Sequence, residues 1–428
     1  MSERKRIYLC LAHMSEAGLE QKYIKEAFDT NWVVPLGPNV NGFEKDLEDF
    51  VNEIPGQARN EGSLNKRVVA LSSGTAAVHL ALINCGVKAG DEVLVQSFTF
   101  CASSHPITYL GATPVFIDSE KDTWNMDPEL LEEAIKDRIA KTGKKPKAIV
   151  PVALYGMPYQ IDKIMAIAEK YDITVIEDAA EGFGSRWEGR VLGTFGKFGV
   201  LSFNGNKMIT TSGGGALVCD NVADKEKIMW YSTQAREAYP YYHHEAIGYN
   251  YRLSNVCAGI GRGQMTIVDD HIAHHKKLMK LYKELLADVP GIEVHDNPDE
   301  RYDSNFWLIT LSIDPKLKIK GQENAYKTVV KGAIGGAAGV VHATDSAHTD
   351  CEPNDNVEAL RMVLDKAQVE ARPLWKPMHK QPVYKNAPAY VNGVSEALFK
   401  VGMCVPSGPC VSEDEVRYIV DTIKNAIE

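Results

Sequence analysis

No stretch of this sequence approaches the roughly 18 uninterrupted apolar residues a bilayer-spanning helix needs, so no membrane-embedded function is expected. Basic residues are not in excess either. Lys and Arg number 47 against 57 Asp and Glu, a formal net charge of −10, which argues against wholesale binding to nucleic acid. Any anionic ligand must therefore be met by a local cluster of donors and cations. The eight cysteines are scattered and form no CxxC pair or zinc-like spacing, which reads as reduced thiols in the cytoplasm. The apolar run Ile7 to Ala12, behind Arg4, Lys5 and Arg6, is too short for a signal-peptide core, and no export is expected. No internal repeat signals a solenoid or propeller.

What the chain does have is mass and apolar content. With 428 residues and 44% hydrophobic composition it can bury a large core, and two closely packed lobes are expected. Between Arg67 and Cys219, short β-branched runs (68–71, 92–95, 114–117, 148–152, 174–176 and 198–201) alternate with helix-type spacing over 75–85, 128–141 and 160–171. That alternation predicts an α/β lobe with a mostly parallel sheet covered on both faces. This large lobe, with an N-terminal arm, is assigned to residues 1–264. A smaller C-terminal α/β lobe is assigned to 265–428, with a helix over 265–286, a strand over 306–311 and a closing helix over 412–427. The stretch 316–358, rich in Gly, Ala, Asp and Asn, is expected to be a partly irregular insertion and is given no chemistry.

Four local features point to chemistry. Ser202-Phe203-Asn204-Gly205-Asn206-Lys207, followed by Thr210 to Gly215, places a lysine in a small, polar, glycine-rich turn between strands. A desolvated lysine there can form a Schiff base with an aldehyde, while the glycines let backbone approach a phosphate. The run Thr174 to Glu181 ends an apolar strand in acids at the carboxyl edge of the expected sheet, where Asp178 can pair with the pyridine nitrogen of pyridoxal 5′-phosphate (PLP). Ser72-Ser73-Gly74-Thr75, between a strand and a helix, offers free N–H groups at the positive end of a helix dipole. Phe100, after the strand 92–96, can present a ring to a planar cofactor. Taken singly, each has a plainer reading: a surface lysine, two helix caps and a core phenylalanine. Their joint occurrence favours the cofactor.

Together with Tyr231 to Glu237, Gly248 to Asn255 and Arg372 to His379, these motifs make the chain resemble the DegT-type sugar aminotransferases, within the fold-type I PLP enzymes. The resemblance runs over most of the length. It is nearest to the branch that transaminates UDP-4-keto-6-deoxy-N-acetylhexosamines, as in the UDP-N-acetylbacillosamine pathway. It implies that Lys207 carries the cofactor, Asp178 meets its pyridine nitrogen, Gly74, Thr75 and Ser202 hold its phosphate, and Phe100 stacks on its ring. Glu181 stands where relatives often carry Gln or His near the phenolic oxygen. Asn250 matches a residue that reaches the neighbouring subunit's site, implying a homodimer with shared sites. The resemblance further points to Asn31, Trp32, Val33, Val34, Arg372, Pro373, Leu374, Trp375 and Tyr384 as sugar-nucleotide residues. Trp32 and Trp375 supply flat apolar surfaces, and Arg372 can pair with a diphosphate or with the carboxylate of the expected donor, L-glutamate. His379 shares a matching motif but can equally be a packed residue.

The expected reaction is transfer of an amino group to a nucleotide-linked 4-keto-6-deoxy sugar, for surface glycan or glycoprotein synthesis. A PLP-dependent sugar dehydratase is the enzymatic alternative, though its deoxygenating members replace the lysine with histidine. A sugar-nucleotide-binding or regulatory protein is the non-catalytic one. No metal is expected: His271, His274 and His275, and the set His342, Asp345, His348, Asp350 and Cys351, lack a recognised ligand spacing. Gly332 to Gly339 resembles a dinucleotide turn only superficially, with no framing strand, helix and acid.

Overall fold

The computed structural model describes residues 5–53, 64–325 and 351–428. After α1 (Leu19–Asp29) and α2 (Pro38–Val51), the large lobe runs β1 (Arg67–Leu71), α3 (Gly74–Asn84), β2 (Glu92–Gln96), α4 (His105–Tyr109), β3 (Thr113–Ile117), α5 (Pro128–Thr142), β4 (Ala148–Val150), α6 (Ile161–Tyr171) and β5 (Thr174–Asp178). A small hairpin, β6 (Arg186–Trp187) and β7 (Arg190–Val191), precedes β8 (Phe198–Ser202), β9 (Gly215–Cys219) and α7 (Val222–Ser232). The rest comprises α8 (Asn255–Met265), α9 (Val268–Leu286), β10 (Ile292–Val294), β11 (Tyr302–Asp303), β12 (Ile309–Ile313), α10 (Asp355–Lys366), β13 (Arg372–Pro373), β14 (Ala389–Tyr390), α11 (Val394–Val401), β15 (Gly402–Val405) and α12 (Glu413–Ala426).

The strands that read as continuous apolar runs do so because both faces of their sheet are covered. Eight strands lie in the order β1-β9-β8-β5-β4-β2-β3-β14. Only β9 opposes its neighbours, being antiparallel to β1 and β8, while the run from β8 to β14 is parallel throughout. This is the α/β architecture with a mostly parallel central sheet that the sequence predicts. On one face α3 is apolar on all sides and is buried from Ala76 to Leu82, as a helix packed between sheet and neighbours must be. Helix α5 shows clean punctuation: the Asp127 side chain accepts from Glu129 N and Leu130 N, Pro128 opens the first turn, and Gly143 leaves at φ 68°.

A four-stranded sheet in the order β10-β12-β15-β13 forms a second layer, with α9, α10 and α12 around its own apolar cluster. Backbone pairings cross residue 264. Strand β14 leaves this lobe to extend the large sheet beside β3, and Ile7 pairs with Val369. The helix expected over 265–286 is α9, which starts at Val268, while α8 before it was not expected, and the strand expected from Phe306 begins at Ile309 because Phe306 sits at φ 49°. Of the insertion expected at 316–358, residues 326–350 lie outside the described residues, and with them Gly332 to Gly339, His342, Asp345, His348 and Asp350.

Candidate active site

The carboxyl ends of β5 and β8 and the amino end of α3 meet at one edge of the large sheet. Asp178 closes β5 and is 5% exposed. Ser103 Oγ donates to its Oδ2 at 2.6 Å and Ala180 N to its Oδ1 at 3.2 Å, and Thr99 Oγ1 in turn bonds Ser103 at 2.8 Å. Burial pushes the Asp178 carboxyl above the ordinary range, while Ser103, the Ala180 N–H and the Lys207 charge pull it back. A buried carboxylate with one oxygen supported from each side is poised for a cationic partner.

Ser202, at the end of β8, stands against Gly74, the first residue of α3. A Cβ on Gly74 would fall 3.1 Å from Ser202 Cβ and 3.4 Å from its Oγ, so glycine keeps this corner open. Gly215, paired to both Leu71 and Ser202, is equally constrained, since a Cβ there would fall 2.4 Å from Gly74 N. The Ser73 side chain caps α3 at Ala76 N, which leaves the Gly74 and Thr75 N–H groups as first-turn donors beside the Ser202 hydroxyl. The donor set and the open corner fit a phosphate. Tyr251 O accepts from Ser72 N at 2.8 Å, bringing the exposed Asn250 segment alongside this loop.

Lys207 sits in the loop between β8 and β9, with its side chain 14% exposed and its Nζ 3.6 Å from Glu181 Oε1. Glu181 is buried, and its other oxygen accepts from Tyr155 N at 2.7 Å. Burial raises the Glu181 carboxyl; the Lys207 charge is the largest opposing influence, followed by the Tyr155 N–H. Tyr155 holds a left-handed backbone, φ 54°, and its hydroxyl accepts from Trp375 N at 2.7 Å. An aromatic series extends outward from it: Tyr155 to Trp375 at 6.1 Å, then Trp375 to Phe100 at 5.4 Å. The Trp375 indole N–H faces the Glu181 carboxylate without reaching hydrogen-bond geometry.

The remaining predicted residues fall elsewhere. Trp32, Val33 and Val34 are 41%, 49% and 40% exposed on the loop before α2, where Asn31 takes a positive φ of 57°. Arg372 is half-buried in β13 and its guanidinium is engaged by Glu370 Oε1 at 2.9 Å; Pro373 follows it in the strand. Two further predicted substrate residues are buried. Leu374 is 3% exposed and fills the space above Gly402, and Tyr384 is 6% exposed, packed edge-on to Phe116 with its hydroxyl 3.3 Å from Thr108 Oγ1. His379 is tied to Ser97 Oγ at 2.6 Å. His271 and His275 bond the carbonyls of Met208 and Phe306, and no metal-binding cluster of three His, Cys, Asp or Glu occurs among the described residues.

Ser103, Tyr155, Asn305 and Trp307 belong to the site but carry no signal in the local sequence. Asn305 Nδ2 donates to the Glu181 and Phe183 carbonyls, and its Oδ1 receives Trp307 N at 2.8 Å. They are recruited from chain segments distant in sequence.

A family model described as the DegT/DnrJ/EryC1/StrS aminotransferase family matches residues 15–342 and 322–424. The chain belongs to that family. EpsN of Bacillus subtilis (strain 168), assigned as a pyridoxal phosphate-dependent aminotransferase, is 41% identical over 98% of this chain and 95% of its own. The GDP-perosamine synthase of Escherichia coli O157:H7 is 30% identical over 97% and 98%. Among solved structures, a DegT DnrJ EryC1 StrS aminotransferase from Brucella abortus superposes with a TM-score of 0.78 at 24% identity, covering 96% of this chain and 95% of that one. Spr1654 of Streptococcus pneumoniae, assigned as a sugar aminotransferase and solved in PLP and PMP forms, gives 0.79 at 23% identity over 98% of each chain in its PLP form. The chain is therefore a PLP-dependent sugar aminotransferase, and its buried acid, glycine-lined corner and enclosed lysine fit that cofactor.

Proposed function

We propose that this enzyme moves the amino group of L-glutamate to C4 of a nucleotide-linked 4-keto-6-deoxy sugar, with UDP-2-acetamido-4-keto-2,6-dideoxyhexose as the first substrate to test. The 4-amino product then serves surface glycan or glycoprotein synthesis. The observation that carries the chemistry is the convergence of Lys207, Glu181 and Asp178 beside the Gly74 and Ser202 corner. The substrate class rests on the family, and the choice of sugar on the resemblance of the motifs around Lys207, Arg236 and Asn250.

When bound, PLP supplies an electron sink for bond breaking at the amino-bearing carbon. Gly74, Thr75 and Ser202 would hold its phosphate, and Asp178 would keep the pyridine nitrogen protonated. Lys207 would hold the cofactor and, with its amine free, takes the proton from the donor's α-carbon. In the second half-reaction Lys207 returns a proton to sugar C4, so kinetics are ping-pong. Trp32, Phe100 and Trp375 offer apolar faces to the sugar nucleotide, and Arg372 offers a charge to its diphosphate. The active unit is taken as a homodimer in the cytoplasm, with Asn250 crossing to the neighbouring site. No helix among the described residues is long and apolar enough to cross a membrane.

The test is an absorption spectrum of the purified protein with PLP, then with L-glutamate, beside Lys207→Ala. Wild type should show a visible band that L-glutamate moves to shorter wavelength, and the variant should show none. Mass spectrometry with UDP-, dTDP- and GDP-linked keto sugars then reads the carrier. A wild-type spectrum indifferent to glutamate would sink the donor assignment, and turnover of only dTDP- or GDP-linked sugars would replace the UDP assignment.

A further inference from the structure

Lys207 Nζ lies 3.8 Å from the centroid of the Trp307 ring. That tryptophan is 1% exposed and is oriented by bonds that do not involve the lysine's amine. Asn305 Oδ1 receives Trp307 N at 2.8 Å, and the Trp307 carbonyl accepts from Ser407 Oγ at 2.8 Å. Its indole Nε1 donates at 2.6 Å to Asn206 O, the carbonyl immediately before Lys207. One rigid ring thus fixes the peptide that launches the lysine and presents its face to the lysine's far end. An indole face is the best aromatic surface for an ammonium, and the attraction strengthens where water is displaced. Glu181, bonded at its carbonyl to Asn305, lies 3.6 Å from the same amine.

Resting on the assignment of Lys207 as the cofactor-holding lysine, we propose that the Trp307 face is the parking place of the freed Lys207 ammonium, holding it within reach of the reacting carbon between the two half-reactions. Trp307 is a positioning residue, acting through Lys207. Without the ring the ammonium keeps only its 3.6 Å approach to Glu181 and is free to swing toward solvent. The charges facing it are Glu181 and Asp178, with the Cys10 thiol in electrostatic range, and all three stay in place when only the ring is altered.

The test uses cofactor-free full-length protein and the rate of pyridoxal phosphate capture as a function of pH. Position 307 carries tryptophan, a series of progressively fluorinated tryptophans that keep the shape but drain the ring face, or methionine. Losing the face removes a stabiliser of the charged amine. The pH at which capture is half-maximal should then fall stepwise with fluorination, reaching about 0.5–1 pH unit below wild type in Trp307→Met. Trp307→Phe, which keeps a face but loses the bond to Asn206 O, should stay nearer wild type. An unmoved midpoint across the fluorinated series would overturn the parking role while leaving Lys207 as the cofactor lysine. Failure of wild type to capture pyridoxal phosphate at all would overturn the lysine assignment itself.

Discussion

Helix α2 has no cap of its own, and replacing Asn255 tests how the exposed loop before it is held. Gly37, the residue before the helix, has no side chain to offer, yet Asn39 N and Val40 N are satisfied by Asn255 Oδ1 at 2.9 and 3.2 Å. The same amide donates from Nδ2 to Trp32 O at 2.8 Å, and Asn255 N donates to Val34 O at 2.9 Å. Asn255→Ala removes three side-chain bonds at a residue that is 1% exposed. At about 1 kcal/mol net each the loss is roughly 3 kcal/mol, and water reaching the carbonyl of half-exposed Trp32 trims it to about 2–3 kcal/mol. Urea unfolding of the cofactor-free protein reads this as a midpoint shift at unchanged slope. Asn255→Asp keeps the acceptor at a helix N-terminus, where a negative charge is favourable, and should lose only about 1 kcal/mol. If the Trp32 loop binds the sugar nucleotide, Asn255→Ala also raises KM for that substrate while the glutamate half-reaction keeps its rate. A loss below about 1 kcal/mol in Asn255→Ala would refute the capping argument. An unchanged sugar KM would detach the Trp32 loop from the substrate.

Three further outcomes follow from named contacts. Asp178 is raised by burial, so its contribution favours the fold while it is protonated, below its unfolded pKa, and is lost as pH rises through the folded value. Cofactor-free Asp178→Asn should therefore melt higher than wild type at pH 8, with the gap closing toward pH 4, and the order should reverse once PLP supplies a cation; equal melting of the two cofactor-free proteins at pH 8 would contradict the burial argument. Phe100→Leu gives up a ring that is 51% exposed and packed on Trp375, and should weaken cofactor binding about fivefold, on the order of 1 kcal/mol, by equilibrium dialysis. Ser412→Ala removes a reciprocal capping pair with Glu415 and should lower stability by about 1 kcal/mol in urea, leaving both half-reactions intact.

The strands of the large sheet were readable because a parallel strand buried on both faces writes itself as a short apolar run. Helix α8 was not, and its glycines explain why. Gly259 meets Asn39 and Tyr23, a Cβ on Gly261 would fall 2.7 Å from the Phe43 ring, and one on Gly263 2.6 Å from Glu20. Helices α1 and α2 press so closely on this helix that small residues replace the apolar stripe on which periodicity depends. Strand β14 was equally invisible, since two residues, Ala389 and Tyr390, gain their place only from the edge that β3 leaves open.

The site divides along the same line. Lys207, Asp178 and Gly74, which the fold brings to one edge of the sheet, stood out because a glycine-bearing strand-to-helix turn, an acid at a strand's end and a lysine in a glycine-rich turn are each made by consecutive residues. The residues that orient them are not. Ser103 reaches Asp178 from across 75 positions, and Asn305 reaches the Glu181 carbonyl from across 124. The left-handed backbone at Tyr155 and Gly156, φ 54° and 98°, depends on this distant asparagine, whose Oδ1 would lie 1.9 Å from any Cβ on Gly156. A side chain that occupies the space a glycine leaves, and bonds the neighbouring loop from there, couples Tyr155, Glu181 and Trp307 into one rigid unit around Lys207. Such coupling leaves no periodicity and no motif, because its partners are chosen by the fold after the strands have paired.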